Sequence, residues 1–292
     1  MATSQNLDKV YVDAWKADVH TLYMQRDCRL SQFCRVETDV GKEHYFDTLL
    51  AGGLTLTAKT AKQKTETKWQ DVDMSRRRVA ASTEDVAINY EYDELYKILM
   101  NPSPLYQMEL VGLANRAKDK KIFDACVNPA ESYIYGATTG TAVPLPAGQQ
   151  VAGATLSIDV LTEVREKFIR NEMAMEKVYC VLDATSYIEL LKDAKSINND
   201  FVNDSPVTTG ELGLRLGFDF IIYNDNKVSA TPTKRNVLFL TGMPVGLINP
   251  LALRLEVDEL PTDSYMWQIY MAQTLGATRL DEQRVVLAVI GT

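Results

Sequence analysis

One stretch of the chain, residues 38 to 92, limits what it can become more than any other. Its ends read as strand: Leu54 and Leu56 alternate with Thr55 and Thr57, and Val86, Ile88, Tyr90 and Tyr92 alternate with Ala87, Asn89 and Glu91. Between them, residues 57 to 85 carry few large apolar side chains, chiefly Trp69, Val72, Met74 and Val79, but hold Lys59, Lys62, Lys64, Lys68, Arg76, Arg77 and Arg78. A polar, basic segment bounded by alternating strands predicts a projecting β-hairpin. From Glu43 to Thr57 alone a strand reaches about 50 Å at ~3.3 Å per residue. A compact chain of 292 residues has a radius of gyration of only about 19 Å. Such a ribbon overhangs its own body, and two strands alone are marginal in water. It needs a surface to lie on. The competing reading is a disordered basic loop.

The rest of the chain reads as a mixture of helix and strand. Leu7, Tyr11, Ala14, Trp15, Val19 and Leu22 mark one face of an amphipathic helix, packed on the chain's own core or, as an arm, on a neighbour. Asn101-Pro102-Ser103-Pro104 introduces a long helix that runs to Asn128-Pro129. Its narrow stripe comprises Leu110, Leu113, Ala114 and Ala117, continued by Ile122, Ala125 and Cys126; Arg116, Asp119 and other charged residues occupy the remaining faces. Residues 136 to 153 read as a Gly- and Pro-punctuated loop, a possible linker. Beyond it, Ser157 and Asp159 cap a helix carrying Leu161, Val164 and Phe168, and a second helix surrounds Ser186 to Leu191. Strands are predicted at 178–182, 218–223, 237–240, 251–257, 265–271 and 285–290.

Chemistry is hard to find. His20 and His44 have no second histidine or cysteine at metal-ligand spacing, so no metal or cofactor is expected. There is no GxSxG elbow. Gly136-Ala-Thr-Thr-Gly140-Thr lacks the lysine of a phosphate-binding loop, and Gly210, Gly213 and Gly217 lack a dinucleotide-site setting. Carboxylate doublets such as Asp258 and Glu259 read as solvated. Cys28, Cys34, Cys126 and Cys180 form no CxxC pair, which favours reduced thiols in a cytosol. No stretch approaches the ~20 apolar residues of a membrane span, and the N-terminus lacks a secretory layout. Net charge is −8, which argues against gripping nucleic acid over the whole surface. The charge is unevenly distributed: residues 59 to 78 carry +4, leaving −12 elsewhere. A basic arm steered onto the acidic body of an identical neighbour fits that split better than a nucleic-acid contact, for which Trp69 alone supplies stacking.

The order of these parts resembles the Hong Kong 97-like capsid subunits of tailed phages, over nearly the whole chain. Ala114, Arg116, Asp119, Ile122 and Ala125 are similar to that family's spine-helix pattern. Tyr179-Cys-Val-Leu182-Asp with Tyr187-Ile-Glu-Leu190-Leu191 resembles its axial strand and the helix after it; Gly210, Gly217-Phe218-Asp-Phe220 and Asn224 resemble the next turn and strand. Tyr270, Gly276-Ala277-Thr278-Arg279 and Val285-Val286 resemble its closing sheet. The resemblance implies an α+β fold with an N-terminal arm (1–37), an extended loop (38–92), a peripheral domain (93–154 and 251–282) with its spine helix at 104–127, and an axial domain (155–250 and 283–292). It implies a non-enzymatic major capsid protein that self-assembles into hexamers and pentamers. These would close an icosahedral virion shell around double-stranded DNA, without sequence-specific binding and without a membrane. Assembly would take place in the host cytoplasm, with a separate scaffolding protein and a portal. Lys59, Lys62, Lys64, Lys68, Trp69 and Arg76 to Arg78 would make the inter-subunit contact. Two alternatives stay open: a nanocompartment shell of the same fold, and a two-domain enzyme with its site beside residues 136 to 153.

Overall fold

The structure is a computed structural model that describes residues 27–38, 41, 43–49, 74–90, 103–134, 139–173, 176–193, 216–228, 231–263 and 265–291. The predicted helix at 7–22, the strand at 54–57 and Lys59, Lys62, Lys64, Lys68 and Trp69 lie outside these residues. In chain order the elements begin with β1 (Cys34–Glu37), β2 (Glu43–Leu49), β3 (Met74–Ala80), β4 (Ser82–Tyr90) and the long helix α1 (Ser103–Val127). Next come β5 (Ala130–Ile134), β6 (Thr141–Val143), β7 (Gln150–Gly153), α2 (Ile158–Arg170), β8 (Val178–Leu182) and α3 (Ala184–Lys192). The chain closes with β9 (Phe218–Ile222), β10 (Lys227–Val228), β11 (Thr231–Thr241), β12 (Val245–Leu260), β13 (Met266–Arg279) and β14 (Val285–Ile290).

Three sheets result, in the orders β7-β14-β11-β8-β9 (with β10 beside β11), β1-β12-β13-β4 and β2-β3-β5-β6. The first is covered on both faces, which explains its nearly unbroken apolar strands. Val178, Cys180, Leu182, Phe239, Val286 and Ile290 face Leu161, Val164 and Phe168 of α2 and Leu190 of α3. The alternate residues, Val181, Leu238, Leu240, Val285 and Leu287, face Leu30, Phe33, Ile122, Phe123 and Cys126. The start of α2 is closed by its neighbour rather than by its own Ser157: Ile158 N–H donates to Asp193 Oδ2 at 2.8 Å, and Leu156 N–H to Glu189 at 3.1 Å. Asp183 caps α3, accepting from Ser186 N–H. Burial pushes the Asp183 carboxyl up, but hydrogen bonds from Ser186 and Asn226 and the Arg235 charge outweigh it, so its pKa sits below the usual value.

α1 spans the limits its prolines predict, but its stripe is not continuous. In the first half, Leu110 and Ala114 pack on Ile269, Met271, Val86, Ile88, Leu255 and Val257. In the second half, Ile122, Phe123 and Cys126 join the core beneath the first sheet. From Leu110 to Ile122 the buried face turns by about 120° at 3.6 residues per turn. Leu113, predicted inside, is exposed, and Asp119, predicted outside, is fully buried. One helix therefore serves two cores.

Two further expectations are corrected. Among the described residues of 38–92, β2 pairs with β3, whereas β4 leaves after the single residue Ala81 and pairs with β13, from Ser82↔Leu275 to Tyr90↔Trp267. The reason is its one apolar face, since Val86 and Ile88 find cover under α1. Residues 136 to 153 are not a free linker either, because β6 pairs with β5 and β7 runs parallel to β14.

Burial pushes the Cys34 thiol up to about 12, and raises Cys126 and Cys180 as well, from an ordinary 9.0. Iodoacetamide at neutral pH should leave these three unlabelled until the protein is denatured. The folded state holds their protons more tightly than the unfolded state does. Stability should therefore fall as pH rises above about 9, by up to ~1.4 kcal/mol per pH unit per thiol. A denaturation midpoint that is flat across pH 9 to 11 would contradict this.

Candidate assembly site at the root of the hairpin

β2 and β3 leave the body over a close crossing. Phe46 and Val79 pack with Ile248, and two glycines make room for them. A Cβ on Gly246 would lie 2.7 Å from the Phe46 ring, and one on Gly276 would lie 2.6 Å from Ala80 O. Gly246 and Gly276 sit on the neighbouring strands β12 and β13, so the hairpin approaches their backbone closely on either side of Ile248.

The three consecutive arginines of β3 divide by strand alternation. Arg76 and Arg78 point to the outer face: Arg76 pairs with Asp47 at 2.7 Å, and Arg78 pairs with Glu43 at 2.5 Å and Glu131 at 3.1 Å. Such exposed pairs stabilise weakly. Arg77 points inward, is 6% exposed, and meets Glu282 at 2.6 Å. Glu282 also lies 3.7 Å from Arg279, whose side chain is fully buried. Arg279 Nη1 donates to Cys126 O at 2.8 Å and Asn128 O at 3.0 Å, and its Nη2 donates to Val143 O at 2.9 Å. The final carbonyls of a helix lack internal donors and carry partial negative charge; here one guanidinium serves the end of α1 and ties it to β6. Burial pulls the Arg279 pKa below its ordinary value, the Glu282 charge opposing that and the Arg77 charge adding to it. One carboxylate thus joins the hairpin, the end of the spine helix and the turn between β13 and β14.

A second anchor lies further back on α1. The buried Asp119 carboxylate accepts from Arg29 N–H at 3.0 Å, Leu30 N–H at 2.9 Å and the Cys28 thiol at 2.9 Å. It fixes the chain entering the body to the middle of the helix. Of the other spine-helix residues singled out by sequence, Ile122 is core and Arg116 pairs with Glu109 at 2.8 Å on the surface. Arg76, Arg77 and Arg78 are all engaged within the chain. Sequence reasoning noticed Gly276 and Arg279 only through resemblance and missed Glu282; no local signal distinguishes a buried arginine from a solvated one. Among the described residues, no group of three or more His, Cys, Asp or Glu is arranged to hold a metal. Among the described residues, no helix is long and apolar enough to cross a membrane either.

A sequence model for a family described as phage capsid protein matches residues 7–288. The chain belongs to the phage capsid protein family. No curated protein matches the sequence. Solved capsid structures share its fold. That of cyanophage P-SCSP1u superposes with a TM-score of 0.74 at 14% identity, covering 99% of this chain and 96% of that one. The cyanophage Pam1 capsid gives 0.70 at 12%, covering 95% of each chain, and Mycobacterium phage Che8 gives 0.69 at 11%, covering 94% of this chain and 95% of that one. The fold is the mixed α+β, Hong Kong 97-like capsid fold. The role is structural: this is a major capsid protein that forms the shell, and its identical subunits self-assemble.

Two substitutions test the root. Gly276→Val should destabilise the crossing of hairpin and body, and Arg279→Met should leave the carbonyls at the end of α1 and on β6 without their donor. Each should cost about 3–5 kcal/mol, measured as a shift in the urea unfolding midpoint. A loss under about 1 kcal/mol from either would show that the root is not tightly packed.

Proposed function

We propose that the subunits assemble into hexamers and pentamers and close an icosahedral shell around packaged double-stranded DNA, which the shell encloses without reading its sequence. The observation that carries this reading is the family match across 7–288, together with a fold shared end to end with phage capsids. Assembly takes place in the host cytoplasm, with a scaffolding protein and a portal as further partners. The division into arm, extended loop, peripheral and axial domains is proposed with the boundaries given above. The basic segment at 59–78 lies across a neighbouring subunit. Arg76 to Arg78 hold the root of the loop, while Lys59, Lys62, Lys64, Lys68 and Trp69 supply the contact. An acidic remainder of −12 gives these lysines a complementary surface on every copy. Obligate contacts of this kind bury roughly 2,000–5,000 Å², and many of them repeated make a stable shell from weak parts.

The test separates the loop from its root. Deleting residues 51–73, with a short Gly-Ser turn joining β2 to β3, should leave the melting temperature of the subunit nearly unchanged but abolish closed particles in negative-stain micrographs. Reversing Lys59, Lys62, Lys64 and Lys68 to Glu should weaken assembly most at low ionic strength, where screening is least. Normal particles from the deletion variant would end the clamp reading. Nuclease-resistant DNA within wild-type particles is the expected content; an enzyme cargo in its place would overturn the phage assignment.

A further inference from the structure

The buried cluster at the root of the hairpin is short of one negative charge. Arg77 and Arg279 bring two guanidinium charges and Glu282 a single carboxylate, and the arginine side chains are 8% and 0% exposed. A guanidinium does not give up its proton in a protein, so the excess is permanent. Asp281 and Glu176 do not offset it. They are held by Arg284 at 3.3 and 2.9 Å and are 41% and 40% exposed, where water and salt screen them.

Hydrogen bonding is incomplete in the same place. Arg77 donates from Nη2 to Glu282 at 2.6 Å, while its Nε and Nη1 are buried with no hydrogen-bond partner among the described residues. Arg279 gives Nη1 and Nη2 to three carbonyls; its Nε has no hydrogen-bond partner either and stands 3.7 Å from Glu282. Buried polar groups nearly always find a partner. Burial, and the Arg77 charge in addition, pull Arg279 below its ordinary pKa, so the two cations lie within electrostatic reach of each other. Water can answer the open donors but leaves the charge as it is. An anion answers both. It must be small, since the open donors are closed off from a phosphodiester or from a side chain of another subunit. Glu282, 19% exposed, marks the side from which an ion can enter.

We propose that the Arg77–Arg279–Glu282 cluster binds one small monovalent anion of the chloride class, on the unused N–H groups of Arg77. The bound ion brings the cluster to neutrality. It also ties β3, which carries Arg77, more firmly to the turn after β13 and to the end of α1, because each cation then has its own counter-charge. The root of the hairpin is therefore an anion-sensitive joint, firmest with the ion in place.

Melting in two salts tests this. The full-length, assembly-free subunit is heated in sodium chloride and in sodium isethionate, whose anion is too bulky for the cluster, at equal ionic strength. The parent should be more stable in chloride, and each tenfold rise in chloride should lift its melting temperature by about 2–4 °C once the site begins to fill. Arg77→Met removes the excess charge together with the two open donors, and should erase the difference between the salts. Glu282→Gln raises the excess by one and should widen that difference, which decides the matter should Arg77→Met fold poorly. Equal melting of the parent in the two salts would leave the donors to water and overturn the proposal. So would a chloride effect that survives Arg77→Met, or one that fails to grow in Glu282→Gln, since the ion would then sit elsewhere.

Discussion

A charge with no access to water organises this subunit. Arg279 is fully buried, and its position is tolerable only because three carbonyls and a carboxylate surround it. Those partners come from separate parts of the chain: the end of α1, the strand β6 and the turn after β13. Through Glu282 the cluster extends to Arg77 and hence to the hairpin. A guanidinium left alone there would be strongly unfavourable, so the parts are stable together and poorly stable apart. The hairpin, the spine helix and the closing sheet consequently hold one fixed relation. A subunit that must meet many copies of itself at repeatable angles needs that property.

The spine helix shows the same logic in apolar form. Its two halves bury faces about 120° apart, one against the sheet of β4 and β13, the other against the sheet of β8, β11 and β14. A helix with a single stripe would serve one layer. This one bridges two, and Lys121, paired with Glu84 at 2.9 Å, adds a polar tie to β4 at the changeover. Glycines at 246 and 276 let the hairpin lie close over β12 and β13. The arginines of β3 are engaged within the subunit itself.

Local patterns were legible in the sequence wherever the decisive physics is local. Prolines 102, 104 and 129 bracket α1 as predicted, and the apolar run from Val285 to Ile290 is β14, residue for residue. Long-range choices were not legible. The alternation of β4 marks it as a strand but names no partner, and the partner proved to be β13 rather than the opposite arm of the hairpin. Asp119 looked like a surface charge because its residue type usually is; only distant backbone groups, brought close by folding, make it and Arg279 interior. The short strands β6 and β7 were hidden by Gly and Pro, which mark turns whether or not the chain between them joins a sheet.

The central claim is that one partly buried carboxylate couples the hairpin to the body, and a double-mutant cycle across Arg77 and Glu282 measures that coupling. Arg77→Met, Glu282→Gln and the double variant would be compared with the parent by urea unfolding of the assembly-free subunit. The account predicts that the double variant loses less than the summed single losses, by about 1.5 kcal/mol or more. Additivity within about 0.5 kcal/mol would mean that the two residues act independently and that the hairpin is held by something else.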